Sequence, residues 1–278
     1  REPQHTRVFR PVRNGAVQDY RAAEQFLSSV FEQTLGKNNK RPRVLATMPV
    51  GTGGGERRAI EEVFRGAGSA DVSVLSTQPL AAIGLELPLF ESGANAIVDI
   101  GAGLCDAFVL SLGGVVTGAR TNAAGDAMDA AILRWLQSSE HFVTRSTAPE
   151  MLKRSVGAAQ PLRNSLRTVL NGQDSLSGSP REKSIGDVEI AEVLSRVTDQ
   201  VKKTLKRTLA DLHPELAADV VDRGVFLVGG GAKLRDLWRV MQAAVGVSVM
   251  VAPEPETVVI RGAGRVLEDA ELFKALMN

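Results

Sequence analysis

A chain of 278 residues can bury a full core, either as one large domain or as two smaller ones. Its 44% hydrophobic and 23% charged residues are ordinary for a globular protein, and a formal net charge of +1 excludes a global pull toward nucleic acid. No apolar run approaches the roughly 18 residues needed to span a bilayer, and a lone Cys105 excludes an internal disulfide and fits a reducing cytosol. The first residues, Arg1-Glu2-Pro3-Gln4-His5, show no signal-peptide core, and the missing initiator methionine points to residues lost upstream.

Helix-like and strand-like segments alternate along the chain, which predicts an α/β protein. Residues 19–35 read as a helix with Phe26, Val30 and Phe31 on one face, and residues 43–48 as a strand. A glycine-rich loop over 49–55 leads into a helix over 56–65, a strand over 72–75 and a short alanine-rich helix over 78–85. The apolar run Ala96-Ile97-Val98 then ends in a first glycine turn, Asp99-Ile100-Gly101-Ala102-Gly103. A hairpin follows, residues 106–112 and 115–120 joined at Gly113-Gly114.

Residues 127–137 form an amphipathic helix burying Met128, Ile132, Trp135 and Leu136. Residues 172–186, rich in Ser, Gly and charge, read as a loop or an edge strand. From 187 to 212 the apolar residues keep a helical period, and Lys202, Lys203, Lys206 and Arg207 near the end read as a solvated face rather than a nucleic-acid patch. The run Val225-Phe226-Leu227-Val228 ends in a second glycine turn, Gly229-Gly230-Gly231-Ala232, and a helix burying Leu234, Leu237, Trp238 and Met241 follows.

A buried strand that ends in glycines brings bare N–H groups to one spot, where a phosphate or a purine can approach closely. Two such turns on opposite halves of the chain suggest one nucleotide held between two lobes. Asp99, at the mouth of the first turn, suits a hydrated metal or an attacking water, and equally a plain turn cap. Cys105 beside that turn is either a reactive thiol or a small buried strand residue. The loop over 49–55 lacks the Lys-Ser/Thr ending of a P-loop, and neither glycine turn spells the dinucleotide fingerprint. His5, His141 and His213 are scattered, which argues against zinc.

Read in order, these segments resemble the bacterial actin MreB and its close relatives. Arg10-Pro11-Val12-Arg13-Asn14-Gly15-Ala16-Val17-Gln18-Asp19-Tyr20 is similar to the family's RPL+DGVIADF opening, Glu56-Arg57-Arg58-Ala59-Ile60 to its VERRAV helix, and Gln78-Pro79-Leu80-Ala81-Ala82-Ile83-Gly84 to EPMAAAIG. The stretch 99–106 resembles DIGGGTTE, Glu150-Met151-Leu152-Lys153 resembles EEIK, Gly157-Ala158 its GSA, and residues 172–180 GRDLxxGLP. Residues 214–232 follow PPELAADIxDRGIxLTGGGA nearly letter for letter.

The resemblance implies an actin-like (ribonuclease H-like) ATPase fold in which two lobes clasp ATP and magnesium and subunits stack into filaments. Lobe I would comprise residues 1–90 with 257–278 returning to it, the core of lobe II residues 91–145 and 218–256, and an outer helical subdomain residues 146–217. Gly101, Ala102, Gly103 and Leu104 would face the phosphates, and Asp99 the metal and the lytic water. Glu150 and Lys153 would line the ribose and base side, and Gly229, Gly230, Gly231, Ala232 and Lys233 would cover the adenosine. Gln78 would orient the attacking water where the family usually has glutamate. Its amide is adequate for that task but implies an altered rate.

Departures from the family bear on the same site. Only nine residues precede the RPL-like opening, so the family's first phosphate hairpin and its metal-side aspartate are missing from this sequence and lobe I reads as incomplete. Leu104 and Cys105 stand where the family has two threonines, and each lost hydroxyl contact to a charged phosphate is worth about 1.5–3 kcal/mol. The basic loop over 36–42 has no apolar tip; it reads as a solvated loop or as a weak contact with the anionic inner membrane at about 1 kcal/mol per basic residue. The resemblance therefore implies a cytoplasmic cell-shape filament protein with a reduced nucleotide site. The alternative is a non-polymerising pseudo-ATPase that partners full-length MreB filaments. A metabolic kinase or chaperone of the same superfamily fits the PELAAD-like and EEIK-like segments less well.

Overall fold

The computed structural model describes residues 10–36, 41–49 and 51–277. The nine residues before the opening motif and residues 37–40 of the basic loop lie outside the described residues. The chain divides into two compact units, residues 1–80 with 259–278, and residues 81–258.

The first unit opens on a hairpin that the alternation of segments did not announce. β1 (Val12–Arg13) pairs antiparallel with β2 (Ala16–Val17). Asn14 and Gly15 both have positive φ, 51° and 76°, as a two-residue type I′ turn requires. Asp19 caps α1 (Tyr20–Leu35) by accepting the Ala22 N–H at 3.0 Å. The inward stripe of α1 runs through Ala23, Leu27 and Val30, at the i, i+4, i+7 spacing. Phe26 falls at its edge and is 59% exposed, so the apolar face expected from Phe26 is corrected.

β3 (Arg43–Met48), α2 (Gly54–Gly66) and β4 (Asp71–Ser76) make a β-α-β unit with parallel register Val44 to Val72 and Ala46 to Val74. Ala46, Met48, Ile60, Val72 and Val74 form its core. The glycine-rich loop before α2 serves the helix itself. The Gly53 N–H donates to Glu56 Oε2 at 2.8 Å, the half of a capping box that a glycine N-cap allows, which satisfies one of the free donors at the helix start. α3 (Thr77–Gly84) follows β4.

The second unit is built on a five-stranded sheet. Its strands are β5 (Asn95–Ile100), β6 (Cys105–Ser111) and β7 (Gly114–Thr121), followed later in the chain by β11 and β12. α4 (Gly125–Ser138), β8 (Phe142–Val143), α5 (Ala148–Val156), β9 (Arg167–Asp174) and β10 (Pro180–Gly186) come next. Then follow α6 (Asp187–Ala210), α7 (Pro214–Arg223), β11 (Val225–Val228), α8 (Leu237–Val245) and β12 (Val249–Val251). The strand order is β12-β11-β5-β6-β7, with β12, β11 and β5 parallel and β6 and β7 returning as an antiparallel meander. β5 is apolar on both faces because it is central: Ala96, Ile97, Val98 and Ile100 are all buried. α6 packs over β6 and β7 beside α4 and α8, and the buried Thr208 hydroxyl donates to the Ala107 carbonyl at 3.1 Å.

The edge-strand reading of residues 172–186 holds for β10, the outer strand of its sheet, and the loop reading for the turn over 175–179. These residues lie mostly in the β9–β10 hairpin, which joins β8 in a separate three-stranded sheet. Asp174 makes the turn by accepting the N–H groups of Leu176 and Ser177, each at 2.9 Å. At the start of α6, Asp187 is wholly buried and gathers the preceding loop, accepting from the Leu162 N–H (2.8 Å), the Leu166 N–H and the Ser165 hydroxyl (both 2.7 Å). The PELAAD-like helix α7 anchors the start of β5: Asp219 accepts the Ala94 N–H at 3.0 Å, and the Arg223 guanidinium donates to Asn95 Oδ1 at 3.1 Å.

The chain ends in α9 (Val258–Glu268) and α10 (Ala270–Met277), and α10 buries none of its residues. No described helix is long and apolar enough to cross a membrane.

Candidate functional site

β5 and β11 lie side by side and parallel, with Val225 opposite Ala96 and Val228 opposite Asp99. Parallel neighbours end at the same edge of the sheet, so both glycine turns emerge there. Gly229 has a φ of 79°, which L side chains rarely adopt. A β-carbon on Gly229 would lie 2.4 Å from Asp99 Oδ1 and 2.5 Å from the Ile100 carbonyl oxygen. One on Gly231 would lie 2.3 Å from Ile100 Cγ2. These two glycines let the second turn close against the first. At Gly230, by contrast, a β-carbon would meet nothing within 4 Å, so this stretch of backbone faces open space. Residues Gly230–Lys233 form a 3₁₀ turn, held by the Ala232 N–H on the Gly229 carbonyl at 3.1 Å.

The first turn is closed by the Gly101 N–H on the Leu104 carbonyl at 2.8 Å. Its outward carbonyls meet the start of α4: the Gly125 N–H donates to Gly101 O at 3.1 Å, and the Asp126 N–H to Ala102 O at 2.7 Å. A helix N-terminus, which favours negative charge, is therefore seated on the glycine turn. Ala102 is exposed, while Gly103 and Leu104 are half-buried.

Lys153, on α5, reaches the same place. Its ammonium donates to the Gly125 carbonyl at 3.1 Å and pairs with Asp129 at 2.8 Å. Glu150, one turn earlier, is exposed and pairs with Arg154 at 2.7 Å. Lys233 pairs with Glu256 on the next loop. Gln78 is only 2% exposed, on α3, and belongs to the first unit.

The electrostatics centre on Asp99. Across the β5–β6 pair it faces Asp106, which in turn faces Arg120 on β7 and pairs with it at 3.1 Å. Burial first, and the facing Asp106 carboxylate second, push the Asp99 carboxyl up to about 6. The same burial, with Asp99 and then Asp106, pushes the Cys105 thiol up to about 12, so the small-buried-residue reading holds and the reactive thiol is discarded.

The surroundings fit an anion through charge more than through open donors: the positive end of α4 and the Lys153 ammonium lie beside the exposed Ala102, while the Gly101, Gly125 and Asp126 N–H groups are spent within the turn and its contact with α4. Magnesium is usually held by one or two carboxylates with the substrate's phosphates completing its shell. The Asp99–Asp106 pair matches that need, and among the described residues no group of three or more His, Cys, Asp or Glu side chains converges to form a metal site from protein alone.

Four members of the site were missed in the sequence. Asp106 was legible from hairpin register, since a tight turn at 101–104 must set it opposite Asp99. Asp129, one helical turn into α4, and Glu256 and the Pro255 carbonyl, in a segment of repeated proline and glutamate, gave no local signal. The Pro255 carbonyl accepts the Gly229 N–H at 2.8 Å.

Comparison with known proteins gives a consistent result. The family described as MreB/Mbl protein matches residues 1–275. The cell shape-determining protein MreB of Escherichia coli strain K12 is 34% identical over 270 residues, covering 96% of this chain and 78% of that protein. The cell shape-determining protein Mbl of Bacillus subtilis is 30% identical over 272 residues, covering 98% and 82%. The crystal structure of MreB5 of Spiroplasma citri bound to ADP superposes with a TM-score of 0.89 at 26% identity, covering 98% of this chain and 82% of that one. A double helical filament of MamK, at 17% identity and a TM-score of 0.75, shares the fold.

Proposed function

The chain belongs to the MreB/Mbl family and has its actin-like fold, and on that premise we propose that it is a cytoskeletal protein of bacterial cell shape or wall morphogenesis, binding ATP and self-associating into filaments in the cytoplasm. The observation that supports this reading best is the closure of Gly229 and Gly231 onto Asp99 and Ile100, which brings two distant turns together at one sheet edge.

In this reading Gly101, Ala102, Gly103 and Leu104 take the phosphates. The turn Gly229–Lys233 takes the nucleoside, and Glu150 and Lys153 line the ribose and base side. Asp99 holds a magnesium ion or the attacking water. Magnesium, when bound, neutralises charge on the phosphates. Asp99 at a pKa near 6 is ionised at neutral pH and can serve either task. Self-association draws support from the relatives, since one structural neighbour is a MamK filament. Peripheral contact of the basic loop over 36–42 with anionic lipid at the inner membrane belongs to the same proposal.

Electron microscopy of the purified chain with and without ATP tests it. Filaments are expected, and their absence in both conditions across salt and concentration would count against polymerisation.

A second reading, a non-polymerising pseudo-ATPase that partners full-length filaments, is favoured by Leu104 and Cys105. Neither brings a hydroxyl to the phosphates, and Cys105 is turned wholly inside. Calorimetric titration with ATP and magnesium separates the two, because micromolar binding argues against a pseudo-ATPase.

A further inference from the structure

Lys233 and Glu256 belong to two loops that leave the adjacent strands β11 and β12. The 3₁₀ turns Gly230–Lys233 and Pro255–Thr257 pack together, and the Lys233 ammonium and Glu256 carboxylate join them in a hydrogen-bonded ion pair. Both side chains are about half-exposed, 56% and 42%. The Lys233 hydrogen bond holds Glu256 below the usual carboxylate range, so it stays ionised. Just before it, Glu254 has a φ of 44°, a left-handed conformation that non-glycine residues adopt at a cost and that recurs at ligand sites.

Neither partner is saturated by the other. The ammonium has three donors and the carboxylate about four acceptor positions, so each keeps capacity facing solvent. Next to them lies the open backbone of Gly230. A donor and an acceptor held side by side next to bare backbone match the edge of a purine, where a ring nitrogen or carbonyl acceptor adjoins an amino or imino donor. An exposed ion pair adds little stability, so a ligand can share or part it cheaply.

We propose that Lys233 and Glu256 together read the base edge of the bound nucleotide: Lys233 donates to the ring or carbonyl acceptor, Glu256 accepts from the amino or imino N–H, and the pair sets the preference between adenine and guanine. This rests on the nucleotide-binding reading above and adds Glu256 to it as a specificity residue.

Equilibrium binding of ATP, GTP and inorganic triphosphate, each with magnesium, to the full chain tests the proposal. The variants are Glu256→Gln and the charge-reversed double variant Lys233→Glu with Glu256→Lys, with thermal melting to report folding. Each variant is expected to change the ratio of ATP to GTP affinity three-fold or more, while triphosphate affinity stays within two-fold. The double variant is the critical one. It restores an ion pair between the loops, so a merely structural clasp would return the parental ratio, whereas a base reader has its donor and acceptor exchanged. A ratio less than three-fold from the parent's in the double variant overturns the proposal, whatever Glu256→Gln does, and leaves the nucleotide site standing. If the parent chain binds neither nucleotide nor triphosphate, the nucleotide reading fails and this one with it.

Discussion

Replacing Gly229 by alanine attacks the closeness of the two turns at its narrowest point. At φ 79° and ψ 161° the backbone sits in a region populated almost solely by glycine, and an L residue there costs about 1–3 kcal/mol. The new methyl would lie 2.4 Å from Asp99 Oδ1 and 2.5 Å from the Ile100 carbonyl oxygen. The carboxylate can swing away, but the carbonyl belongs to a strand paired on both sides and cannot. Gly229 itself is held by its N–H on the Pro255 carbonyl. Relieving the overlap therefore means parting the ends of β5 and β11, which adds about 1–3 kcal/mol of overpacking. We expect a total near 3 kcal/mol, read by urea denaturation on the transition of residues 81–258. Gly230→Ala is the internal control, because its β-carbon would meet nothing within 4 Å and its loss of stability should stay within about 0.5 kcal/mol. In the proposed reading that variant should instead weaken nucleotide binding, because its methyl would enter the open space assigned to the nucleoside. Equal unfolding curves for the two variants would refute the packing argument.

Three other expectations follow from buried carboxylates and from the small first unit. The Asp99 carboxyl, pushed up to about 6 from an ordinary 3.8, retains its proton while the unfolded chain releases one, so its contribution falls as pH rises between those values, by about 3 kcal/mol in all. Asp99→Asn should accordingly raise the melting temperature at pH 7 and flatten its decline from pH 4 to 6; parallel profiles for variant and parent would contradict this. Asp187 is shifted the other way: burial works against its charge, but hydrogen bonds from Leu162, Ser165 and Leu166 outweigh it and hold the carboxyl below the usual range. Its stabilisation is present above about pH 4 and lost as pH falls further, and Asp187→Ala should cost about 3 kcal/mol in urea unfolding at pH 7, where a loss under 1 kcal/mol would show the loop is held otherwise. Finally, the two-stranded sheet of β3 and β4 packs on a far smaller core than the five-stranded sheet around β5 and β11, so amides of residues 43–48 and 71–76 should exchange at lower free energy than those of 95–100 and 225–228; uniform protection would deny it.

The sequence was most readable where one physical rule dominated. Continuous apolar runs marked β5 and β11 as interior strands, and the glycines after them could be read as a ligand-facing turn without knowing they were neighbours. Helical period located α4 and α6 within a few residues. Asn14-Gly15 was an equally plain signal of a hairpin and was passed over because the flanking strands are only two residues each. The 172–186 segment leaves loop and edge strand open for a different reason: its strands have few apolar residues, and pairing with each other rather than burial keeps them extended. Partners such as Asp129 for Lys153 and Glu256 for Lys233 were invisible because tertiary contact, and no local pattern, joins them. Asp219 and Arg223 show the converse. Two of the best-matching motif residues turn out to tether α7 to the far end of β5, a scaffolding task that motif matching alone would have mistaken for chemistry.

Immediate adjacency of β5 and β11 fixes the spacing of the two turns that leave them. Strands bonded as neighbours stand about 4.8 Å apart, and widening that gap would tear the ladder that runs from Val225 to Val228. This part of the scaffold therefore keeps its dimensions whatever the turns hold. Adjustment within it falls to side chains that can swing over a rigid floor, such as those of Lys153, Lys233 and Glu256.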